Sequence, residues 1–159
     1  MTQPAAAPVR TTAIVRASWR GDRRYETGKP DGPQALIDGD GVAAQSPPEA
    51  LLSALATCSA VDVVDILAKR RTPVAALVVD VAGERRAENP RRFEHVVLHY
   101  RVDGKDIERI HAERAVSLSF ERYCTVAASL GPDIVVETVV VLNGEEGGRI
   151  RQPIFTPTR

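Results

Sequence analysis

This chain contains very little cysteine: among its 159 residues there are two, Cys58 and Cys124. Two cysteines cannot build the disulfide scaffold of a small secreted protein. In a reducing compartment they stay thiols unless a disulfide forms during catalysis. We therefore expect a cytoplasmic protein in which any disulfide is functional.

The chain also lacks an excess of charge of one sign and lacks long apolar runs. Lys plus Arg and Asp plus Glu number 21 each, so no global field attracts nucleic acid or a membrane surface. Charged residues interrupt each apolar segment before it reaches the ~20 residues that are needed to span a bilayer. The opening MTQPAAAPVR has no apolar core of a signal peptide. The sequence predicts neither a nucleic-acid nor a membrane partner.

Motifs for metals and nucleotides are absent from the sequence. There is no CxxC or HExxH, and the three histidines, His95, His99 and His111, have no metal-ligand spacing with the cysteines. The GKPDG segment is typical of a turn, because no strand and helix flank it as they flank a phosphate-binding loop. We predict no metal and no cofactor.

Length and composition predict one domain with short extensions. Residues 1–11 are rich in Ala and Pro and predict a flexible arm. The domain is expected over residues 12–142. Residues 143–159 contain GEEGG and two prolines and predict a tail that is loose or docks on a partner subunit.

Hydrophobic periodicity predicts strands and two helices within the domain. Strands are expected at 12–19, 25–27, 34–38, 77–84, 96–102 and 134–142. Helices are expected at 46–71 and 105–121, with a further helical turn in TVAASL. This order of strands, long helix, hairpin, helix and strand predicts an α+β fold with antiparallel pairing.

The first helix has a strong start signal at SPPE. Ser46 can cap the first free amides, and Glu49 completes a capping box. The following ALLSALATCSAV is apolar or small on all sides, so we expect this helix to be buried in a core.

Cys58 lies inside this apolar helix, and Cys124 follows the second helix. A buried cysteine is often only a small hydrophobic residue, and packing alone could explain either one. If folding brings them together, one thiolate can attack an O–O bond and the second thiol can resolve the sulfenic acid as a disulfide. The pair would then define a two-cysteine peroxidase.

Attack by Cys58 requires a group that stabilises its thiolate. Cys58 is too far along its helix for the helix N-terminus to serve, so a cation must come from elsewhere. The arginines of the first hairpin, Arg20, Arg23 and Arg24, are candidates, although a solvated turn also explains them. Asp62, one turn beyond Cys58, would raise a thiol pKa.

The stretch SPPEALLSALATCSAVDVVDILAKRR, a strand hairpin and the later LSFERYCTVAASL occur in this order. The chain thereby resembles the OsmC and organic hydroperoxide resistance family, in particular its YhfA-like branch, over about residues 12–142. The resemblance implies an intertwined homodimer in which antiparallel sheets wrap two long central helices. It also implies organic hydroperoxides as substrates, a dithiol reductant of the lipoyl type, a peroxidatic Cys58 and a resolving Cys124.

Two features depart from the family pattern. Well-studied members place a glutamate ten positions before the first cysteine and an arginine in the preceding loop; here Pro48 stands at the first place, and residues 28–49 contain no arginine. Glu121 and Thr125 replace the usual His and Pro around the second cysteine. Arg23, Arg24 and Glu49 are therefore the candidates for activating the thiol, with Glu49 also explained by its capping box.

Two other functional hypotheses remain open from the sequence. The missing activating pair favours a non-catalytic protein that binds a small apolar ligand or senses redox state, because an unactivated cysteine reacts slowly. A purely structural dimer, whose cysteines never form a disulfide, is the third.

Overall fold

The structure, a computed structural model, describes residues 11–154. The predicted N-terminal arm lies outside the described residues except for Thr11. The strands are β1 Arg16–Trp19, β2 Arg24–Gly28, β3 Gln34–Asp38, β4 Ala76–Arg85, β5 Phe93–Asp103, β6 Val135–Leu142 and β7 Glu145–Gln152. The helices are α1 Pro47–Lys69, α2 Arg109–Leu118 and α3 Thr125–Ala128, with a π-helical turn at Ser119–Tyr123.

The described residues fall into two compact units that meet in sequence between Ala50 and Leu51, and the single domain over residues 12–142 stays a prediction. In the first unit β1, β2 and β3 form an antiparallel meander. Trp19 pairs with Tyr25, which pairs with Ile37, so the three side chains share one face of the sheet. Trp19 is 64% exposed and Tyr25 43% exposed. This apolar face is therefore largely uncovered in the single chain.

Asp38 organises the loop that follows β3. Its carboxylate accepts hydrogen bonds from the backbone N–H groups of Asp40 at 3.1 Å, Val42 at 3.2 Å and Ala43 at 2.8 Å. These bonds, above all the one from Ala43, lower the pKa of the Asp38 carboxyl below its ordinary 3.8. The aspartate thus fixes the loop only while it is ionised.

We expect Asp38→Asn to lower the thermal unfolding temperature by a few degrees at pH 7, because an amide cannot accept three bonds as a carboxylate does. The folded-state pKa is lowered, so this stabilisation is present above pH 3.8 and lost as pH falls through the folded pKa. Thermal unfolding followed by circular dichroism should show that the difference in unfolding temperature between wild type and Asp38→Asn decreases as the pH is lowered. Asp40→Asn, at an exposed carboxylate, is the control, and equal unfolding temperatures at pH 7 would contradict the role of Asp38.

The Glu49 half of the predicted capping box is confirmed at the start of the helix. The carboxylate of Glu49 accepts hydrogen bonds from both the backbone N–H and the hydroxyl of Ser46, each at 2.7 Å. The carbonyl of Ser46 accepts the first helical bond, from Ala50, at 2.9 Å. These contacts explain why α1 begins at Pro47.

The second unit contains a four-stranded sheet in the order β4-β5-β6-β7. β4 and β5 are antiparallel, as predicted for the hairpin, but β5 and β6 run parallel. The prediction of purely antiparallel pairing is therefore wrong at this pair. The chain from β5 to β6 passes through α2, the π-helical turn and α3, a connection long enough to return to the same end of the sheet.

The region predicted as a C-terminal tail is also different in the structure. β7 pairs antiparallel with β6 after a turn in which Asn143 and Gly144 both adopt positive φ, at 49° and 87°. This backbone is that of a tight hairpin turn. The prediction of a loose segment is wrong for Glu145–Gln152, because Gly147 and Gly148 and the charged side chains conceal the strand pattern. Residues 155–159 lie outside the described part.

The core of the second unit lies between one sheet face and the helices. Val96, Leu98, Tyr100 and Val102, predicted to share a face of β5, are each at most 1% exposed. They pack with residues of α1, α2, the π-helical turn and β6: Leu55, Val63, Leu67, Ala112, Ala115, Val116, Phe120, Val136 and Val140. Full burial of each large apolar side chain contributes about 1.5–3 kcal/mol.

α1 is buried on one side only. Leu55, Ser59, Val63 and Leu67 lie in the core, whereas Val61 is 60% exposed. The prediction that this helix is buried on all sides is therefore wrong for the single chain. By length and composition alone α1 could cross a membrane, a weak indication because core helices of soluble proteins also satisfy it.

Candidate active site

The fold brings the two cysteines together. Cys58 lies in the middle of α1, half-buried, and packs against the core. Cys124 lies after the π-helical turn and is 3% exposed. Both pack into the same hydrophobic core, and Cys58 is among the neighbours that raise the pKa of Cys124. The sequence could only predict that such an encounter would depend on the fold.

A π-helical turn positions Cys124. The backbone N–H of Cys124 donates to the carbonyl of Ser119, five residues earlier, at 2.8 Å, a wider turn than that of an α-helix. The backbone then becomes extended at Cys124, and its Sγ accepts the N–H of Ala127 at 3.4 Å. Cys124 thus ends one helical segment and caps the next, which fixes the direction of its side chain.

The Cys124 thiol is held protonated. Burial is the main cause that raises its pKa, to about 12; the N–H of Ala127 acts in the opposite direction, and Cys58 and Asp62 raise the pKa further. None of these influences is a cation.

Beside the thiols lies a buried hydroxyl pair, Ser59 and Tyr100. Their oxygens are 2.6 Å apart, and the Ser59 hydroxyl also donates to the carbonyls of Leu55 at 2.9 Å and Ala56 at 3.1 Å. Because the serine proton serves those carbonyls, Tyr100 is the donor between the two hydroxyls. Burial raises the pKa of Tyr100, so this phenol stays protonated.

This pair predicts an unequal effect of two conservative substitutions. We expect Tyr100→Phe to cost about 0.5–1.5 kcal/mol of unfolding free energy, since it removes the donor and Ser59 keeps its carbonyl partners. Ser59→Ala should cost about 1–3 kcal/mol, since it leaves the buried Tyr100 hydroxyl without an acceptor. Urea unfolding monitored by circular dichroism measures both. A larger effect of Tyr100→Phe would reverse the assigned direction of the bond.

Asp62 links α1 to the π-helical turn. The hydroxyl of Ser119 donates to its carboxylate at 2.6 Å. The negative charge of Asp62 also raises the pKa of Cys124, as a smaller contribution than burial, whereas the sequence predicts that effect at Cys58. Asp62 therefore favours the thiol form of Cys124 and holds the element that carries it.

The proposed thiolate-activating residues all belong to the first unit. Arg23 Nε forms an ion pair with Asp40 at 3.0 Å, and its Nη2 donates to the carbonyl of Gly39 at 3.5 Å. Arg24 adds, after the backbone N–H groups, to the lowering of the Asp38 pKa. Glu49 takes part in the capping box. Their action on Cys58 remains a prediction.

Three polar residues near the thiols were missed from the sequence: Ser59, Tyr100 and Ser119. The alternation of β5 places Tyr100 on the core face, and Ser59 follows Cys58 in an apolar helix. Buried hydroxyls require partners, which is the signal that could have paired them. Among residues 11–154 no group of three or more His, Cys, Asp or Glu side chains could hold a metal.

Known proteins resemble this chain in sequence and in structure. A sequence model described as OsmC-like protein matches residues 38–139. Protein YhfA of Escherichia coli K12 is 43% identical over 117 residues, which is 73% of this chain and 87% of YhfA.

Two solved structures extend this likeness. A hypothetical protein from Aquifex aeolicus VF5 is 25% identical, with a TM-score of 0.76, over 84% of this chain and 98% of its own. An organic hydroperoxide resistance protein OsmC from Legionella pneumophila is 16% identical, with a TM-score of 0.59, over 85% of this chain and 98% of its own, and shows the shared fold. On these grounds the chain belongs to the OsmC-like protein family.

Proposed function

We propose that this protein is a thiol-dependent peroxidase that reduces organic hydroperoxides, with Cys58 as the peroxidatic and Cys124 as the resolving cysteine. The observation that carries the proposal is that two cysteines far apart in the chain pack into one core, where Cys58 is among the neighbours that raise the pKa of Cys124. Membership of a family in which a Legionella relative is named for organic hydroperoxide resistance supports it.

The reaction proceeds in three balanced steps. The Cys58 thiolate attacks the O–O bond of the hydroperoxide, so that an S–O bond forms and the alcohol leaves after taking up a proton. Cys124 then attacks the sulfenic sulfur, and an S–S bond replaces the S–O bond as water leaves. A dithiol reduces the disulfide by two exchange steps and becomes a disulfide itself.

The protonated state of Cys124 suits the resolving role. A thiol that stays protonated does not compete with Cys58 as the first nucleophile. During resolution its proton can leave with the hydroxide as water.

The apolar surroundings of Cys58 favour organic over inorganic peroxides. Cys58 lies in an apolar stretch of α1 and packs against the hydrophobic core, and an apolar lining binds the carbon chain of an organic hydroperoxide. The test of the proposal is dithiol-dependent consumption of cumene hydroperoxide by the purified protein. Absence of turnover with both a lipoyl-type dithiol and dithiothreitol would reject it.

We also propose that the active form is a homodimer. An apolar groove of about 470 Å³ lies along the exposed side of α1 and β4, lined by Ala60, Val61, Val64, Leu77 and Val79 among others. Val61 is 60% and Val64 37% exposed in the single chain. Exposed apolar surface of this kind marks interaction sites. The intertwined dimer implied by the family resemblance supports a second copy of the chain as its occupant.

A second candidate function is a non-catalytic ligand binder or redox sensor. It is favoured by the lack of the usual glutamate and loop arginine of the family before Cys58, because an unactivated cysteine reacts slowly. Alkylation of Cys58 by iodoacetamide at pH 7 distinguishes the two candidates. A rate clearly above that of free cysteine favours the peroxidase, and a rate at or below it favours the binder.

A further inference from the structure

A cleft between α1 and α2 in the second unit has opposite charges at its two ends. It encloses about 390 Å³, a volume in the range of small-molecule sites. The two helices run antiparallel along it, because Arg70 contacts His111 at one end and Asp62 contacts Ser119 at the other. At ~1.5 Å per residue, Asp62 and Arg70 are about 12 Å apart along α1.

The basic end combines side chains from both helices. Lys69 and Arg70 come from α1, and His111 and Arg114 from α2. Arg70 Nη2 lies 2.7 Å from His111 Nε2, and because a guanidinium can only donate, the imidazole nitrogen accepts. This hydrogen bond occupies only one of the five N–H donors of the Arg70 guanidinium. Both arginines line the cleft, so they can present donors to an anion within it.

Acidic side chains beside the basic end also restrain it. Arg114 Nη1 donates to Glu121 Oε1 at 2.6 Å, and Glu108 lies 3.7 Å from His111. The Glu121 contact holds Arg114 in place, and the two carboxylates keep the end from carrying a large excess of positive charge. An anion with one negative charge matches this end better than one with several.

The middle and the far end of the cleft differ from the basic end. Ile66, Ala115 and Leu118 give the middle an apolar lining, and the exposed ring of Tyr123 borders it. The far end contains the carboxylates of Asp62 and Asp65, and the charge of Asp62 acts on Cys124. A second negative charge on a ligand would be repelled there.

We propose that this cleft binds a monocarboxylate with an unbranched apolar chain, held at its carboxylate by Arg70 and Arg114. Guanidinium groups bind carboxylates through paired N–H donors, which a single lysine cannot reproduce. The chain then lies along Ile66 and Leu118, and its far end approaches the side of the site where the thiols lie. The inference goes beyond the proposed peroxidase, since binding of such an acid requires no reaction at either thiol.

Isothermal titration with three eight-carbon compounds tests the ligand class. Octanoate should bind, and octanol, which lacks the carboxylate, should bind at least about tenfold more weakly. Octanedioate should also bind about tenfold more weakly, because its second carboxylate meets the acidic end. Octanol or octanedioate binding as tightly as octanoate would overturn the proposal, as would the absence of octanoate binding.

Variants locate the binding site. Arg70→Ala combined with Arg114→Ala should weaken octanoate binding at least about tenfold, and the corresponding double lysine variant should be intermediate. Arg101→Ala is the matched control, because Arg101 is an exposed arginine paired with Asp80 on the sheet. Unchanged affinity in the double alanine variant, with its circular dichroism spectrum intact, would overturn the assignment.

The titration is independent of the peroxidase proposal. Octanoate has no O–O bond, so its binding is measured whether or not the protein consumes hydroperoxide. Failure of octanoate to bind would reject the carboxylate site and leave the thiol chemistry standing. If octanoate binds but hydroperoxide is not consumed, the peroxidase proposal is rejected and the carboxylate site stands.

Discussion

Cys58→Ser is expected to reduce dithiol-dependent turnover of cumene hydroperoxide by about a thousandfold or more, to the uncatalysed background. A serine hydroxyl at neutral pH is not an effective nucleophile toward an O–O bond, and it cannot form the sulfenic acid that the cycle requires. The measurement is steady-state peroxide consumption with a lipoyl-type dithiol. Turnover within a few-fold of wild type would contradict the peroxidatic role of Cys58.

The matched variant, Cys124→Ser, should behave differently. It keeps Cys58, so one equivalent of hydroperoxide should still be consumed, leaving a sulfenic acid that dimedone traps. Continued turnover should be slower, because the intramolecular disulfide cannot form. A Cys124→Ser protein that neither consumes the first equivalent of hydroperoxide nor yields a dimedone-trapped sulfenic acid would contradict the division of roles.

The second large effect concerns assembly. Val61→Asp is expected to convert the proposed dimer, of twice 17.2 kDa, to a monomer at micromolar concentration. Val61 lies in the open groove of α1 and β4, and an unpaired carboxylate buried against a second copy would cost several kcal/mol. A loss of that size weakens association about a thousandfold. Sedimentation velocity measures the change.

Ile110→Asp supplies the control for this substitution. Ile110 is 67% exposed on α2 and is not among the residues that line the groove. The same change there should leave the mass unaltered. A wild-type protein that sediments as a monomer, or a Val61→Asp protein that remains a dimer, would contradict the proposed interface.

Sequence patterns with one clear physical cause predicted most of the fold. The Glu49 half of the capping box and the alternation of β5 were identified correctly because each depends on neighbouring residues alone. The parallel pairing of β5 with β6 was missed, because pairing direction depends on the route of the whole connection. β7 was missed because Gly147 and its charged neighbours carry little strand signal.

The sequence identified the two cysteines of the candidate site but not most of the residues around them. The two cysteines were identified from chemistry and from the family resemblance. Their neighbours Ser59, Tyr100 and Ser119 come from three elements, and only the folded chain shows that they lie near Cys124. The π-helical turn that aims Cys124 has no signature in the sequence. The raised pKa of Cys124 follows from burial, which a sequence position does not reveal.

Mass analysis of the peroxide-treated protein tests the central claim most directly. Reduced protein is treated with one equivalent of cumene hydroperoxide, quenched with iodoacetamide and digested without reductant. The account predicts a single product in which a disulfide joins the peptides containing Cys58 and Cys124, with the mass of the protein lowered by two hydrogens. Two alkylated cysteines after complete mixing, or oxidation of one cysteine with no disulfide between them, would contradict it.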